Sequence, residues 1–355
     1  MTRMRVMAIG ATGFIGRHVV AQLLEAGHEV AVLHRGNVPL SASGSVTEIL
    51  GERSNLIELR NEFRKWAPDV VVDMILSSAR QAHETLEAFR GIASRVAAIS
   101  SGDAYRAMAV LHRLDNGPIQ PIPITEDSAL RTETKPYSAE ALAGVRLVFP
   151  WINDEYDKVQ VEKAIASDSE LPATILRLPM VYGPGDPLHR LYSVVKRMLD
   201  GRPAILQEQT FAQWVPCRGY VENVAHGIVL AATTESVAGR IFNVAEQERD
   251  TEAEWTARIG SILGWRGRVV VALPPDAMPK HLLTPHKFEQ HLFMDSSRIR
   301  AELGYTERVL VSEALRRTIE WEKANPPERI DPAQYDYQAE DEALTLLSTT
   351  RTAAP

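Results

Sequence analysis

The chain of 355 residues contains a single cysteine, Cys217. No internal disulfide can form, and a reducing, cytoplasmic setting is expected. No apolar run reaches the ~18–20 residues that a membrane helix needs. The apolar N-terminal stretch RVMAIGATGFIGRHVV is interrupted by glycines and an arginine, and no small-residue cleavage site follows a continuous apolar core. It reads as folded structure and not as a signal peptide. Basic residues are not in excess. The formal net charge is −7, which argues against nucleic acid as the main partner. There is no zinc-ligand spacing and no Gly-x-Ser-x-Gly elbow, so no metal site is expected, and hydrolysis and acyl transfer have little support. No internal repeat is visible.

What is present is ordinary for a folded enzyme with a sizeable core: 45% hydrophobic and 24% charged residues. Apolar runs at 5–10, 28–35, 46–50, 68–76 and 95–100 predict strands, and helical spacing at 16–27 and 79–91 predicts helices between them. This alternation predicts an α/β fold, a Rossmann-type doubly wound parallel sheet with a smaller mixed α/β substrate domain. Residues 106–150 read as a long proline-rich loop, and 173–183 as one further strand. A helix over 221–234 and a strand over 240–245 are expected to return to the first sheet. The expected division is a dinucleotide-binding domain over 1–178 with about 219–246, and a substrate domain over 179–218 with about 247–330. The remaining tail, 331–355, has little periodicity and is expected to wrap the surface or stay disordered.

The segment GATGFIG (10–16) joins the first strand to the first helix. Gly10 permits a tight turn, Gly13 lets the backbone approach a pyrophosphate, and Gly16 lets helix and strand pack closely. The helix N-terminus then offers N–H groups and a positive dipole to the phosphates. An acid at the end of the second strand would accept from the ribose hydroxyl of NAD. His34 and Arg35 stand there instead, which points to NADP, with NAD as the second choice.

These features resemble the extended short-chain dehydrogenase/reductase family, the NAD(P)-dependent epimerase/dehydratase group. The resemblance runs over about residues 5–325. It rests on GATGFIG, ISSGDAY (99–105), LRLPMVYGPGDP (176–187), GYVENVAHGI (219–228) and DSSRIRAELGY (295–305). It implies a small-molecule substrate that is sugar-like, sometimes nucleotide-linked, or otherwise carries a hydroxyl or carbonyl. A homodimer is allowed for. By position, Thr12, Phe14 and Ile15 belong to the phosphate loop. Glu52 takes the place of an Asp near the adenine. Leu76 and Ser77 line the cofactor, Pro179, Met180 and Val181 pack near the nicotinamide, and Ser101 bonds the reacting oxygen. The alternative is a non-catalytic dinucleotide-binding protein with a regulatory, RNA- or protein-binding role.

The family carries Tyr-x-x-x-Lys, with an acid four residues after the Lys. Here NDEYDKVQVEKAI (153–165) holds Tyr156 and Lys158, two apart. On a helix, residues two apart stand ~200° apart and do not share a face. In one register Tyr156 is the family tyrosine and Gln160 replaces the lysine. In the other, which is preferred, Lys158 is the lysine, Glu162 the acid, and Asp154 stands in the tyrosine position. Lys158 would hold the cofactor ribose, and the catalytic tyrosine would then come from Tyr105, Tyr137 or Tyr156. Tyr156 ranks first, because Asn153 and Asp154 are N-cap residues that would place it in an irregular first turn. Relatives that grip a nucleotide diphosphate have an Arg where this chain has Pro216. Arg218 is two residues away, and Phe211 and Trp214 are candidates to line a less charged pocket.

Overall fold

The computed structural model describes residues 2–37, 46–272 and 278–352. In chain order the first half comprises β1 (Arg5–Ile9), α1 (Gly16–Glu25), β2 (Glu29–His34), β3 (Thr47–Leu50), α2 (Arg60–Trp66), β4 (Val70–Asp73), α3 (Ala79–Phe89) and β5 (Arg95–Ser101). Then come α4 (Arg106–Leu111), α5 (Ala139–Arg146), α6 (Lys158–Ile165), β6 (Ala173–Leu178) and β7 (Met180–Tyr182). The second half comprises α7 (Tyr192–Leu199), β8 (Ala204–Glu208), α8 (Gln209–Gln213), β9 (Arg218–Tyr220), α9 (Val221–Thr233) and β10 (Ile241–Asn243). It ends with α10 (Glu252–Leu263), β11 (Arg268–Ala272), α11 (Ser297–Leu303), α12 (Val311–Ala324) and α13 (Tyr337–Thr352).

Seven strands form one sheet in the order β10-β6-β5-β4-β1-β2-β3, and every neighbouring pair is parallel. Successive side chains on a strand point to opposite faces, so each inner strand feeds two cores. Val6, Ala8, Val30, Val32, Val70 and Val72 join α1 and α9 on one face. Met7, Ile9, Ala31, Leu33 and Val71 join α2, α3 and α6 on the other. Strand order reverses about β1, and the carboxyl ends of β1, β2 and β4 open into a crevice, the usual ligand position in such sheets.

Four features depart from the expectation. The run 173–183 is two strands, not one. Pro179 has no N–H to continue the ladder, so β6 stops at Leu178, and β7 pairs with β9 in a separate two-stranded sheet. The segment 106–150 is not all loop but carries α4 and α5. The segment from 331 is not irregular: a 3-10 turn and α13 dock onto the sheet pair β8–β11. There Glu340 is buried against Arg197, and Ala343 and Leu344 pack with Leu206 and Met278. Finally, α6 starts at Lys158, capped by Asp157 and not by Asn153 or Asp154. Among the described residues no helix is long and apolar enough to cross a membrane. Cys217 is buried, and burial pushes its thiol up to about 12.

Candidate active site

The glycine turn lies at the floor of a cavity of about 590 Å³. The N-cap of α1 is Ile15, which offers no side-chain acceptor, and the first turn holds no acid. The positive end of the helix therefore faces the cavity without competition. A Cβ on Gly16 would fall 2.6 Å from Ala11 Cα, so strand and helix touch there through bare backbone. On Gly13 the nearest atom to such a Cβ is Gly10 O at 3.4 Å. The space on that side belongs to the cavity.

Of the residues assigned to a cofactor, Gly10, Thr12, Gly13, Phe14, Ile15, Gly16, His34, Arg35 and Glu52 all line this cavity. Leu76, Ser77, Pro179, Val181 and Lys158 do not: Leu76 and Ser77 follow β4, Pro179 and Val181 follow β6, and Lys158 opens α6. His34 is committed elsewhere: Nε2 pairs with Glu48 at 2.9 Å and Nδ1 accepts from the Gly36 N–H. Arg35 is exposed and pairs with no carboxylate among the described residues.

Sequence reasoning missed several liners. Arg17 follows the third glycine, lies on the cavity and is also without a carboxylate partner among the described residues. Its place in the first helical turn was the available signal. Arg53 donates to Asp73, Thr85 and Gln81 O, but its buried Nε has no hydrogen-bond partner. Val148, Phe149, Pro150 and Trp151, from the connection between α5 and α6, form one wall; nothing local marked them. The unpartnered Arg53 nitrogen, the two free arginines and the open side of Gly13 fit a phosphorylated dinucleotide.

The candidate catalytic residues gather at the end of β5 and the start of α6. Lys158 Nζ donates to Leu76 O, three residues past β4, at 2.6 Å and to Ile99 O, within β5, at 3.2 Å, and sits 5.6 Å from the Trp151 ring centre. Burial lowers its pKa to about 8, against the opposing pull of Asp103, Asp73 and Glu162. Lys163, five residues on, is exposed. Glu162 is locked in a two-point pair with Arg177 at 2.7 and 3.0 Å and accepts from Ser100. Ser101 ends β5, and its Oγ accepts the Asp103 N–H at 3.2 Å.

Two tyrosines converge on Asp103. The Tyr137 hydroxyl donates to Asp103 Oδ1, and Tyr156 lies close enough for the Asp103 charge to act on its phenol. The two rings lie 5.7 Å apart. Arg131 reaches Asp103 at 3.4 Å and Asp157 at 3.3 Å, tying the turn after β5 to the start of α6. Burial first, and the Asp103 carboxylate second, hold both phenols well above their usual pKa. Tyr105 stands outside this group: its hydroxyl donates to Asn243 on β10 at 2.6 Å, and burial lifts its pKa to about 12.

The preferred register fails in one respect. Lys158 and Glu162 are both buried and one turn apart on α6, but Asp154 is not on the helix. Asp154 is exposed and pairs with Arg146. Asp157 caps α6 because its carboxylate meets both the N–H groups of Val159 and Gln160 and the Arg131 guanidinium. Tyr156 therefore precedes the helix, outside any helical register.

A second cavity, of about 340 Å³, lies between α7, β8, α10 and the β7–β9 pair. Phe211, Tyr182, Trp255 and Arg218 line it. Trp214 does not; its Nε1 donates to Gln290 O inside a separate core cluster.

Residues 6–245 match the profile of the NAD dependent epimerase/dehydratase family. A 3-diazoavenalumate denitrifying reductase of a Streptomyces species is 27% identical over 289 residues, which cover 79% of this chain and 86% of the relative. A 2'-dehydrokanamycin reductase of Streptomyces kanamyceticus is 27% identical over 218 residues, 59% of this chain and 53% of the relative. An uncharacterized protein of Sinorhizobium fredii is 25% identical over 217 residues, 54% of this chain and 56% of that protein. The chain thus spans little more than half the length of these last two relatives. Among solved structures, MoeE5 in complex with UDP-glucuronic acid and NAD superposes with a TM-score of 0.63 at 21% identity, covering 90% of this chain and 99% of that one. WbmG of Bordetella bronchiseptica in complex with NAD and UDP gives 0.64 at 17% identity, covering 91% and 95%. At such identities the likeness is one of fold.

Proposed function

The chain belongs to the NAD dependent epimerase/dehydratase family, as an NAD(P)-dependent enzyme of the short-chain dehydrogenase/reductase type, and on that premise we propose that it works as a reductase of a carbonyl-bearing small molecule. The observation that carries this is the cluster at the end of β5: Ser101, Asp103 with the Tyr137 hydroxyl on it, Tyr156 beside Tyr137, and the buried Lys158. A phenol held above its usual pKa stays protonated at neutral pH and is a poor acceptor from an alcohol. It is also a weaker acid than a free phenol, but a nascent alkoxide is a far stronger base and still takes its proton. Both Streptomyces relatives are named as reductases, which supports the same direction.

When bound, the dinucleotide supplies the hydride. The α1 N-terminus and Arg17 hold the pyrophosphate, and Arg35 takes the 2′-phosphate that distinguishes NADP. An ammonium has three N–H groups; two on Lys158 go to Leu76 O and Ile99 O, and the third is left for a ribose hydroxyl. Ser101 positions the substrate oxygen. Tyr156 gives that oxygen its proton, and the phenolate is reprotonated from water. A cytoplasmic setting is part of the same reading.

The test is NADPH oxidation with a panel of uncharged ketones. Tyr156→Phe should lower turnover ~100-fold or more with NADPH affinity unchanged, and Tyr137→Phe less than ~10-fold. The reverse order would make Tyr137 the donor. Full turnover in both variants would end the acid–base assignment.

A further inference from the structure

The second cavity holds three arginines, and each is already matched. Arg190 Nη1 donates to Asp186 at 2.7 Å and to Val181 O at 2.8 Å. Arg197 meets Glu340 at 2.8 and 3.0 Å and also donates to Ser193 O and Gln334 O. Arg218 meets Glu252 at 2.6 Å and Asp250 O at 3.2 Å, with its guanidinium 4.2 Å from the Trp255 ring centre. Among the described lining residues no other cation is present, so three positive charges face three carboxylates. Solved structures of this fold contain UDP or UDP-sugars. A pyrophosphate brings ~2 negative charges, and burying them here would leave charge unmatched at a cost of several kcal/mol.

The rest of the lining is apolar or aromatic: Leu191, Ile205, Ile259, Phe211, and Tyr182 set edge-on to Trp255 at 5.3 Å. One polar atom has no partner. Gln207 lines the cavity with 4% of its surface exposed; its Nε2 donates to Thr256 at 2.9 Å, while its Oε1 is buried and unbonded. That oxygen calls for an N–H or O–H from a ligand.

We infer that this cavity takes the part of the substrate remote from the carbonyl, that this part is uncharged and ring-bearing with a hydrogen-bond donor, and that the Arg218–Glu252 pair excludes nucleoside diphosphates. This rests on the reductase reading above and names the substrate class for it. Glu252 is the specificity-determining residue: its carboxylate neutralises the cation nearest the aromatic wall. Gln207 receives the donor.

The experiment measures binding to the enzyme saturated with NADPH, using UDP, acetophenone and 4-hydroxyacetophenone as probes. NADPH binding is established first. Its absence would overturn the cofactor reading and not this inference. Wild type should bind 4-hydroxyacetophenone at least ~10-fold more tightly than acetophenone, and UDP no better than ~1 mM. Gln207→Leu should erase the difference between the two ketones. Glu252→Gln keeps the hydrogen bond but frees the Arg218 charge, and should raise UDP affinity at least ~10-fold. Micromolar UDP binding by the wild type would overturn the proposal, whether or not the variants fold. So would equal affinity for the two ketones, or a folded Glu252→Gln protein with unchanged UDP affinity.

Discussion

The two cavities contain similar numbers of arginines and opposite electrostatics. In the first, Arg17 and Arg35 are exposed beside an uncapped helix N-terminus, with no carboxylate partner among the described residues. In the second, Arg190, Arg197 and Arg218 are each answered by an acid. A count of basic residues would assign phosphate to both. Pairing assigns it to the first alone, because an arginine already bonded to a carboxylate has little left for a second anion.

The largest break in this contrast should come from Gly13→Val. The side chain would enter the cavity and not the fold, since a Cβ at this position approaches no protein atom closer than 3.4 Å. NADPH affinity, read by calorimetry, should fall ~100-fold or more, about 2.7 kcal/mol, with thermal stability nearly unchanged. Unchanged affinity would remove the phosphate assignment.

Next in size is Lys158→Ala. It leaves Leu76 O and Ile99 O unpaired, and should cost about 1–3 kcal/mol of stability as well as ~10-fold or more in cofactor affinity. Lys163→Ala, on the exposed face, should change neither by more than ~0.5 kcal/mol. A loss of stability in urea unfolding with no loss in cofactor titration would show that Lys158 holds only the fold.

Arg35→Ala and Arg17→Ala sharpen the first cavity further. Arg35→Ala should cost NADP about 1.5–3 kcal/mol and spare NAD, narrowing their ratio ten-fold or more. Arg17→Ala should weaken both by a similar factor. A wild type that binds NAD more tightly than NADP would refute the role given to Arg35.

The smallest effects are in pH, and the two regions should slope in opposite directions. Lys158 has its pKa lowered by burial to about 8 from 10.5. Between those values the unfolded chain keeps a proton that the folded one has lost, so this group makes stability rise with pH. Glu246 stands behind the second cavity and accepts from Tyr182 and the Tyr220 N–H. Burial raises its pKa to about 7 from 4.5. Its contribution is full below the unfolded value and is lost as pH rises through about 7. Wild type minus Lys158→Met should climb from about pH 8 to 10.5, and wild type minus Glu246→Gln should fall from about pH 4.5 to 7. Each slope is at most ~1.4 kcal/mol per pH unit. Flat difference curves from denaturant titrations would remove either group from the account.

The first cavity was largely legible in the sequence and the second was not. A strand, three glycines and a helix are adjacent in the chain, so their spacing states their geometry. Arg218–Glu252 and Arg197–Glu340 join residues far apart, and no local pattern reports a pairing. Pro179 was in plain view inside a run read as one strand; its missing N–H was the reason to divide that run. The start of α6 could not be chosen locally, since Asn153, Asp154 and Asp157 all cap well. Arg131, 26 residues earlier, selects Asp157. Helix α13 offers few apolar positions, and ion pairs to distant arginines hold it in place.

That helix has a consequence for the order of assembly. Arg197 and Glu340 are 143 residues apart, and both are buried in the finished wall. Until α13 docks, Arg197 has no carboxylate, and closing dry side chains around it would strand a charge. Contacts of such long separation form late, because loop closure must precede them. The wall of the second cavity should therefore be the last part to consolidate during refolding, well after the glycine turn and its sheet. In pulse-labelled hydrogen exchange, amides of α7 and β8 should gain protection after those of β1 and α1.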